Sequence, residues 1–362
     1  MTAHNAPHQP SFTLPGSAPR APGIVASALL TLPAHCPPWQ ATGLRVRAGD
    51  AYSVFAQGRV QWAIGAPTLY GGPRFHLWCR VSPGGHIRNL RADTDTFVAD
   101  VDGELEVGLY MGMWRDAQGS LATDPALYAR LAGQIETLLV SWGAQAAVAA
   151  LSSLAARSPD SCYAAELRHL LALPPTPAGW QPLLEIGETH LFTPARTSAG
   201  AAAIRIEGAD EQGILCRDCD IPLSPSTRLS WAWRLHGLPS AVAENSVRAH
   251  DYISIATEFD NGRDLTWFWS TCLAPDVHFD CPVKYWSARE THIVARSGLA
   301  GLGTWQREER AVWADVERAM GPPPGRIVRV WLIAVASFQH GDLHAEFSAI
   351  EIHDGADRWR LL

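Results

Sequence analysis

The sequence predicts a mainly β protein: two β-sandwich domains joined by a short helical segment. Three observations carry this. Thirty glycines and 26 prolines in 362 residues break the chain into short β-rich runs, as in sandwiches. One stretch, residues 144–173, is instead alanine- and leucine-rich with helical spacing. Beyond it, His250 to Cys272 reads as two strands joined by Asn261-Gly262. That dipeptide is the strongest short-range hairpin signal, because a type I′ turn needs φ > 0 at both positions.

The elements follow in order. Residues 1–22 are polar and proline-rich and are expected to form a disordered tail. Residues 23–143 supply strands near Gly43 to Val46, Tyr52 to Trp62, Phe75 to Val81, Thr96 to Ala99, Leu105 to Met111 and Ile135 to Trp142. Residues 144–177 form the helical segment, ended by Pro174, Pro175 and Pro177. In residues 178–362, β character returns in IRIEG, RLSWAWRL, the hairpin, ETHIVAR, RIVRVWLIAVASF and EFSAIEI. One helix is expected from Glu309 to Met320, stopped by Gly321 and three prolines.

Composition narrows the function. A net charge of −7 argues against a nucleic-acid partner, which needs a basic surface. Lys284 is the only lysine, so amine chemistry falls on it or on the N-terminus. Seven cysteines cannot all pair internally. Without an evident secretory signal or membrane-length apolar run, the expectation is a cytoplasmic protein with reduced thiols and no membrane partner. No G-x-G-x-x-G before a helix, P-loop, G-x-S-x-G or H-E-x-x-H appears, so no nucleotide or flavin cofactor is expected. Cys216-Arg-Asp-Cys219 is a lone C-x-x-C, read as thiols in a turn.

With a two-residue loop, Ser254 opposes Trp269, Ala256 opposes Trp267 and Ile255 opposes Phe268. Directly opposed residues share a face. Trp267 and Trp269 then join Tyr252, Glu258 and His250 on a polar face, while Ile253, Ile255 and Phe259 face the core. In a strand over Arg289-Glu290-Thr291-His292, Glu290 and His292 share one side. The candidate catalytic residues are His250, Tyr252, Glu258, Glu290 and His292. Trp267, Trp269, Arg234 and Lys284 are candidate substrate contacts. His250, Glu290 and His292 are either the ligands of a single divalent metal or an acid–base set. Trp231 and Trp233 read as core.

Residues 180–352 resemble the bacterial domain of unknown function 3047. The resemblance rests on SWAWRL (230–235), HDYISIATEFDNG (250–262), LTWFWS (265–270), RETHIVARSG (289–298), Trp305 to Asp315 and RVWLIAVASFQ (329–339). It implies a jelly-roll-like sandwich and brings no activity with it. TGLRVRAGD (42–50), VFAQGRVQW (54–62) and GELEVGLYMGMWRDAQGSL (103–121) are similar to the small sandwich of calcium-dependent galactophilic bacterial lectins. The matching loop carries Asp116 but lacks the asparagine pair of those lectins, so calcium is not expected there.

The expected function is an acid–base or metal-assisted lyase or hydrolase. It would act on a small aromatic or sugar-like molecule in the second sandwich. The rival is a non-catalytic glycan-binding protein, favoured by the lectin-like first domain and the 15 tryptophans.

Overall fold

A computed structural model describes residues 12–19, 21–62, 70–110, 114–144, 147–183, 186–247, 249–250, 252–284, 286–355 and 357–362. The chain divides into two compact units, Met1–Leu173 and Pro174–Leu362. Both are β-sandwiches.

The first unit contains β1 (Ala26–Pro33), β2 (Gln40–Val46), β3 (Ala51–Gln61), β4 (Tyr70–Gly71), the short helix α1 (Pro73–His76), β5 (Leu77–Ser82), β6 (Arg88–Asn89), β7 (Thr94–Val98), β8 (Gly103–Leu109), β9 (Ala132–Gly143), α2 (Ala147–Arg157) and α3 (Cys162–Ala172). One sheet runs β1-β9-β3-β4, with β7 also on β3; the other runs β2-β8-β5-β6. Val54, Leu105, Val107 and Leu139 fill the space between them. The opposite face of β3 and β9 is also apolar. There Phe55, Leu138, Val140 and Trp142 pack with Leu151, Leu154 and Tyr163 of the helices. Burial on both faces explains the unbroken run Leu138-Leu139-Val140. Phe12, Leu14, Ala18 and Ala21 pack on the same cluster, so this part of the expected tail is attached to the sandwich.

The second unit contains β10 (Gln181–Pro182), β11 (Phe192–Arg196), β12 (Ala202–Ala209), β13 (Gln212–Pro222), β14 (Arg228–Leu235), β15 (Ile253–Phe259), β16 (Asp264–Ser270), β17 (His278–Asp280), β18 (Glu290–Ser297), β19 (Gln306–Ala311), α4 (Val312–Met320), β20 (Arg326–Val335), β21 (Asp342–Asp354) and β22 (Asp357–Arg360). Its larger sheet runs β10-β13-β20-β15-β16-β18-β17. Its smaller sheet runs β11-β12-β21-β14-β19, with β22 on β21. The core between them holds Trp231, Trp233, Ile255, Trp267, Trp269, Leu332 and Phe347. No helix among the described residues is long and apolar enough to cross a membrane.

The hairpin register differs from the expected one. Ser254 opposes Phe268, Ile255 opposes Trp267 and Glu258 opposes Asp264. The loop has three residues, not two. Phe259 N–H donates to Arg263 O at 2.9 Å, and Gly262 N–H donates to Phe259 O at 2.9 Å. Gly262 has φ 77°, while Asn261 is not among the positive-φ residues. This is the turn-plus-left-handed-glycine closure of a three-residue hairpin. A one-residue slip moves a strand's side chains to the other face. Trp267 and Trp269 therefore belong to the core and do not line an open surface. Two smaller differences follow from strand pairing. Residues 309–311 end β19 and α4 starts at Val312. Cys216 and Cys219 lie in β13 rather than a turn, Cys216 opposite Trp331 and Cys219 within an irregularity of the pairing between Asp218 and Ile221.

Candidate functional site

The outer face of the larger sheet carries two rows of side chains. In the first, Arg329 of β20 opposes Glu258 of β15, Glu258 opposes Asp264 of β16, and Asp264 opposes Glu290 of β18. Cys281 follows, its N–H donating to Glu290 O at 2.9 Å. In the second row, Trp331 opposes Ala256, Ala256 opposes Thr266, Thr266 opposes His292, and His292 opposes Phe279. One row is charged and the other is largely aromatic.

Three carboxyl groups on neighbouring strands are costly, since like charges directly opposite destabilise a sheet. Asp264, Glu258 and Glu290 are also buried. Two guanidiniums offset them. Arg289 Nη2 lies 3.2 Å from Glu258 Oε1 and its Nε lies 3.5 Å from Asp264 Oδ1. Arg329 Nε lies 3.0 Å from Glu258 Oε2. Arg289 is held between the rings of Trp286 and Trp331, 5.1 and 5.0 Å from their centroids. The Thr266 hydroxyl lies 3.2 Å from Glu290 Oε1 and 3.4 Å from Asp264 Oδ2. It has one proton and donates to one carboxylate at a time.

At the end of the charged row, Cys281, Glu290 and His292 bring one ligand-type atom each to within 4.8 Å of the others. All three are buried. His292 Nε2 and Glu290 Oε1 are 3.7 Å apart. That is too long for a hydrogen bond. Two ligands of a tetrahedral ion, each bound at about 2.0–2.1 Å, stand roughly 3.3–3.4 Å apart. The gap is thus close to the separation a shared ion imposes. Phe279 stacks on the His292 ring at 5.2 Å and 16°, which fixes its plane.

The expected site is partly assembled. Glu258, Glu290 and His292 share one face, as their parity requires. His250 is not in the ligand cluster. Its ring packs edge-on against Phe338 at 4.6 Å, because it lies in the loop before β15. Cys281 takes its place. Tyr252 is buried with its hydroxyl bonded to Ser240; burial pushes that phenol up from its ordinary value. Arg234 lies on the smaller sheet, beside Glu346. Lys284 is exposed on the loop between Cys281 and Trp286, with no ion pair among the described residues. Sequence reasoning missed Asp264, Cys281, Arg289 and Arg329. The alternation of β18 pointed to Glu290 and His292; only strand pairing supplies the rest. In the first unit, Asp116 Oδ1 accepts backbone N–H groups of Gln118 and Ser120, both at 3.0 Å, closing its own turn.

Comparison with known proteins places the second unit. The family model described as protein of unknown function (DUF3047) matches residues 179–351. No curated protein matches the chain. Among solved structures, the chain is similar to the N-terminal domain of EclA, a PllA-like lectin, at 12% identity and a TM-score of 0.25, covering 33% of this chain and 99% of that one. It is similar to the arabinose-bound α-L-arabinofuranosidase MgGH51 at 10% identity and a TM-score of 0.26, covering 48% of this chain and 23% of that one. The Sputnik virophage structure is similar at 6% identity and a TM-score of 0.19, covering 99% of this chain and 92% of that one.

Proposed function

We propose that the second sandwich is a metal-assisted acid–base enzyme, a lyase or hydrolase, with Cys281, Glu290 and His292 as metal ligands. The observation that carries this is the 3.7 Å separation of His292 Nε2 and Glu290 Oε1 beside a buried thiol. A sulfur, a nitrogen and an oxygen donor suit a borderline-soft ion such as zinc, and three protein ligands leave a position open for water or substrate. A bound zinc ion would lower the pKa of its water and polarise a substrate oxygen.

The chain's own groups supply the rest. Arg289, fixed between two indoles, holds Glu258 and Asp264 in place. Thr266 passes a hydrogen bond between Asp264 and Glu290, so a proton gained at one carboxylate alters the hydrogen bonding of the other. Phe279 and Trp286, both half-buried, border the cluster with aromatic surface. They favour a small aromatic or sugar-like substrate.

The test is elemental analysis of purified protein, followed by turnover assays on aryl glycosides, aryl esters and uronic-acid oligomers. About one zinc per chain is expected, with turnover of at least one class. His292→Ala should lose both while keeping its fold by circular dichroism. Wild-type protein that takes up no transition metal, even on direct titration, would replace this reading with the glycan-binding one.

A further inference from the structure

A second constellation lies on the outer face of the smaller sheet and is independent of the metal reading. Arg205 of β12 opposes Glu346 of β21, which opposes Arg234 of β14. Glu346 is buried. Its Oε2 accepts a 2.6 Å hydrogen bond from Arg234 Nε and pairs with Arg234 Nη2 as well. Its Oε1 lies 3.5 Å from Arg205 Nη2, and His236 Nε2 lies 3.6 Å from Oε2. The His236 ring stacks on His344 at 3.8 Å. The Arg234 guanidinium stands 5.3 Å from the Trp305 ring centroid.

One carboxylate therefore orients two guanidiniums and an imidazole. Burial works against its charge, but Arg234, His236 and Arg205 outweigh this and hold the Glu346 carboxyl below its ordinary range. Two permanent positive charges meet one negative charge. A guanidinium has five N–H donors, and among the described residues neither arginine has another acceptor. The Arg205 and Arg234 side chains are 47% and 31% exposed. The surplus charge and the spare donors thus remain open to solvent on a rigid sheet. Planar, pre-oriented guanidiniums match oxyanions bidentately. Glu207 opposes His344, while Arg307 opposes Ala232 and Glu309 opposes Ser230 on the same face, and Glu309 is turned towards His353 at 3.4 Å.

We propose that Arg205 and Arg234, held by Glu346 beside Trp305, bind the oxyanion group of an acidic saccharide. The indole is what points to a sugar, since aromatic rings offer an apolar surface with a polar edge next to the charged donors. The net charge of −7 opposes polyphosphate binding, so the site recognises a single anionic group rather than a polyanion.

Calorimetric titration at low salt tests this with four probes: a neutral oligosaccharide ending in one uronic acid, the same oligosaccharide ending in one sulfated sugar, the uncharged oligosaccharide of equal length, and a short DNA strand. Saturable binding of the carboxylated or the sulfated probe is expected, and whichever binds identifies the oxyanion. The neutral probe and DNA should bind at least about tenfold more weakly. Arg205→Ala should weaken binding roughly 10- to 100-fold, the loss of one charge-assisted interaction, without changing thermal unfolding. Arg360→Ala, at an 83% exposed side chain on β22, should leave binding unchanged. The proposal is overturned if neither acidic probe binds, if the neutral probe or DNA binds equally well, or if Arg205→Ala binds like wild type.

Discussion

Two largely buried clusters of carboxylate and histidine, one in each unit, look alike in composition and differ in spacing. In the first unit, Asp95, Glu166 and His169 also bring ligand-type atoms within 4.8 Å of one another. There Arg91 occupies Asp95 with two bonds, Nε to Oδ2 at 2.9 Å and Nη2 to Oδ1 at 2.5 Å. Glu166 accepts from the Thr96 hydroxyl at 2.5 Å and pairs with His169 at 3.3 Å. Trp142 and Ser53 extend the chain, the Ser53 hydroxyl meeting Thr96 at 2.7 Å. Every carboxylate has a close donor, and the set ties α3 to the sheet. In the second unit, the guanidinium contacts are 3.0–3.5 Å, and the histidine stands 3.7 Å from its carboxylate beside a thiol. A guanidinium completes the first cluster. The second keeps its histidine and carboxylate 3.7 Å apart. The same residue types thus mark a latch in one place and a candidate centre in the other.

The sharpest way to break this contrast is to remove Arg91. Arg91→Met should cost about 3–5 kcal/mol, because it leaves buried carboxylates without their counter-charge; urea unfolding at pH 7 measures it. The next effect also belongs to the first unit. His76 is buried, with Nε2 accepting from Trp62 Nε1 at 2.6 Å and Nδ1 3.0 Å from Tyr110 O. Burial pushes its imidazole down from 6.5 to about 4. A depressed folded value gives stability that is complete above the unfolded value and is lost as pH falls. Between pH 6.5 and 4 the loss should approach about 3 kcal/mol. His76→Leu should flatten that slope in unfolding experiments.

His169 has the opposite sign. Burial disfavours its charge, but the Glu166 hydrogen bond and the charges of Asp95 and Glu166 outweigh this and raise its value above 6.5. Its contribution is complete below the unfolded value and disappears as pH rises through the raised one. His169→Ala should cost about 1.5–3 kcal/mol in mild acid, as for a hydrogen bond to a charged group, and clearly less at pH 9. The smallest effect separates the clusters most cleanly. Glu290→Gln in metal-free protein removes one of three adjacent carboxylates, so stability should change by less than about 1 kcal/mol, or rise slightly. Glu166→Gln should destabilise.

The sandwich fold was legible because it rests on local signals. Strand β14 matches RLSWAWRL residue for residue, and the alanine-rich runs form α2 and α3. The site was half legible. Alternation in β18 placed Glu290 and His292 together without knowledge of any partner strand. The tryptophans were misplaced because Asn261-Gly262 fits both a two-residue and a three-residue loop, and only the glycine adopts positive φ. Cys281 was missed because it lies nine residues before Glu290, on an edge segment whose pairing no local pattern reveals. Arg329 meets Glu258 only through the long-range pairing of β20 with β15.

The central claim is that Cys281, Glu290 and His292 share a metal ion. Cobalt(II) titration of metal-stripped protein tests it most directly, because a thiolate ligand gives a near-ultraviolet charge-transfer band and the visible spectrum reports coordination number. The expected result is saturation at about one cobalt per chain, with a thiolate band that Cys281→Ala abolishes and His292→Ala weakens. The contradicting result is no saturable spectrum, or one that survives unchanged in Cys281→Ala.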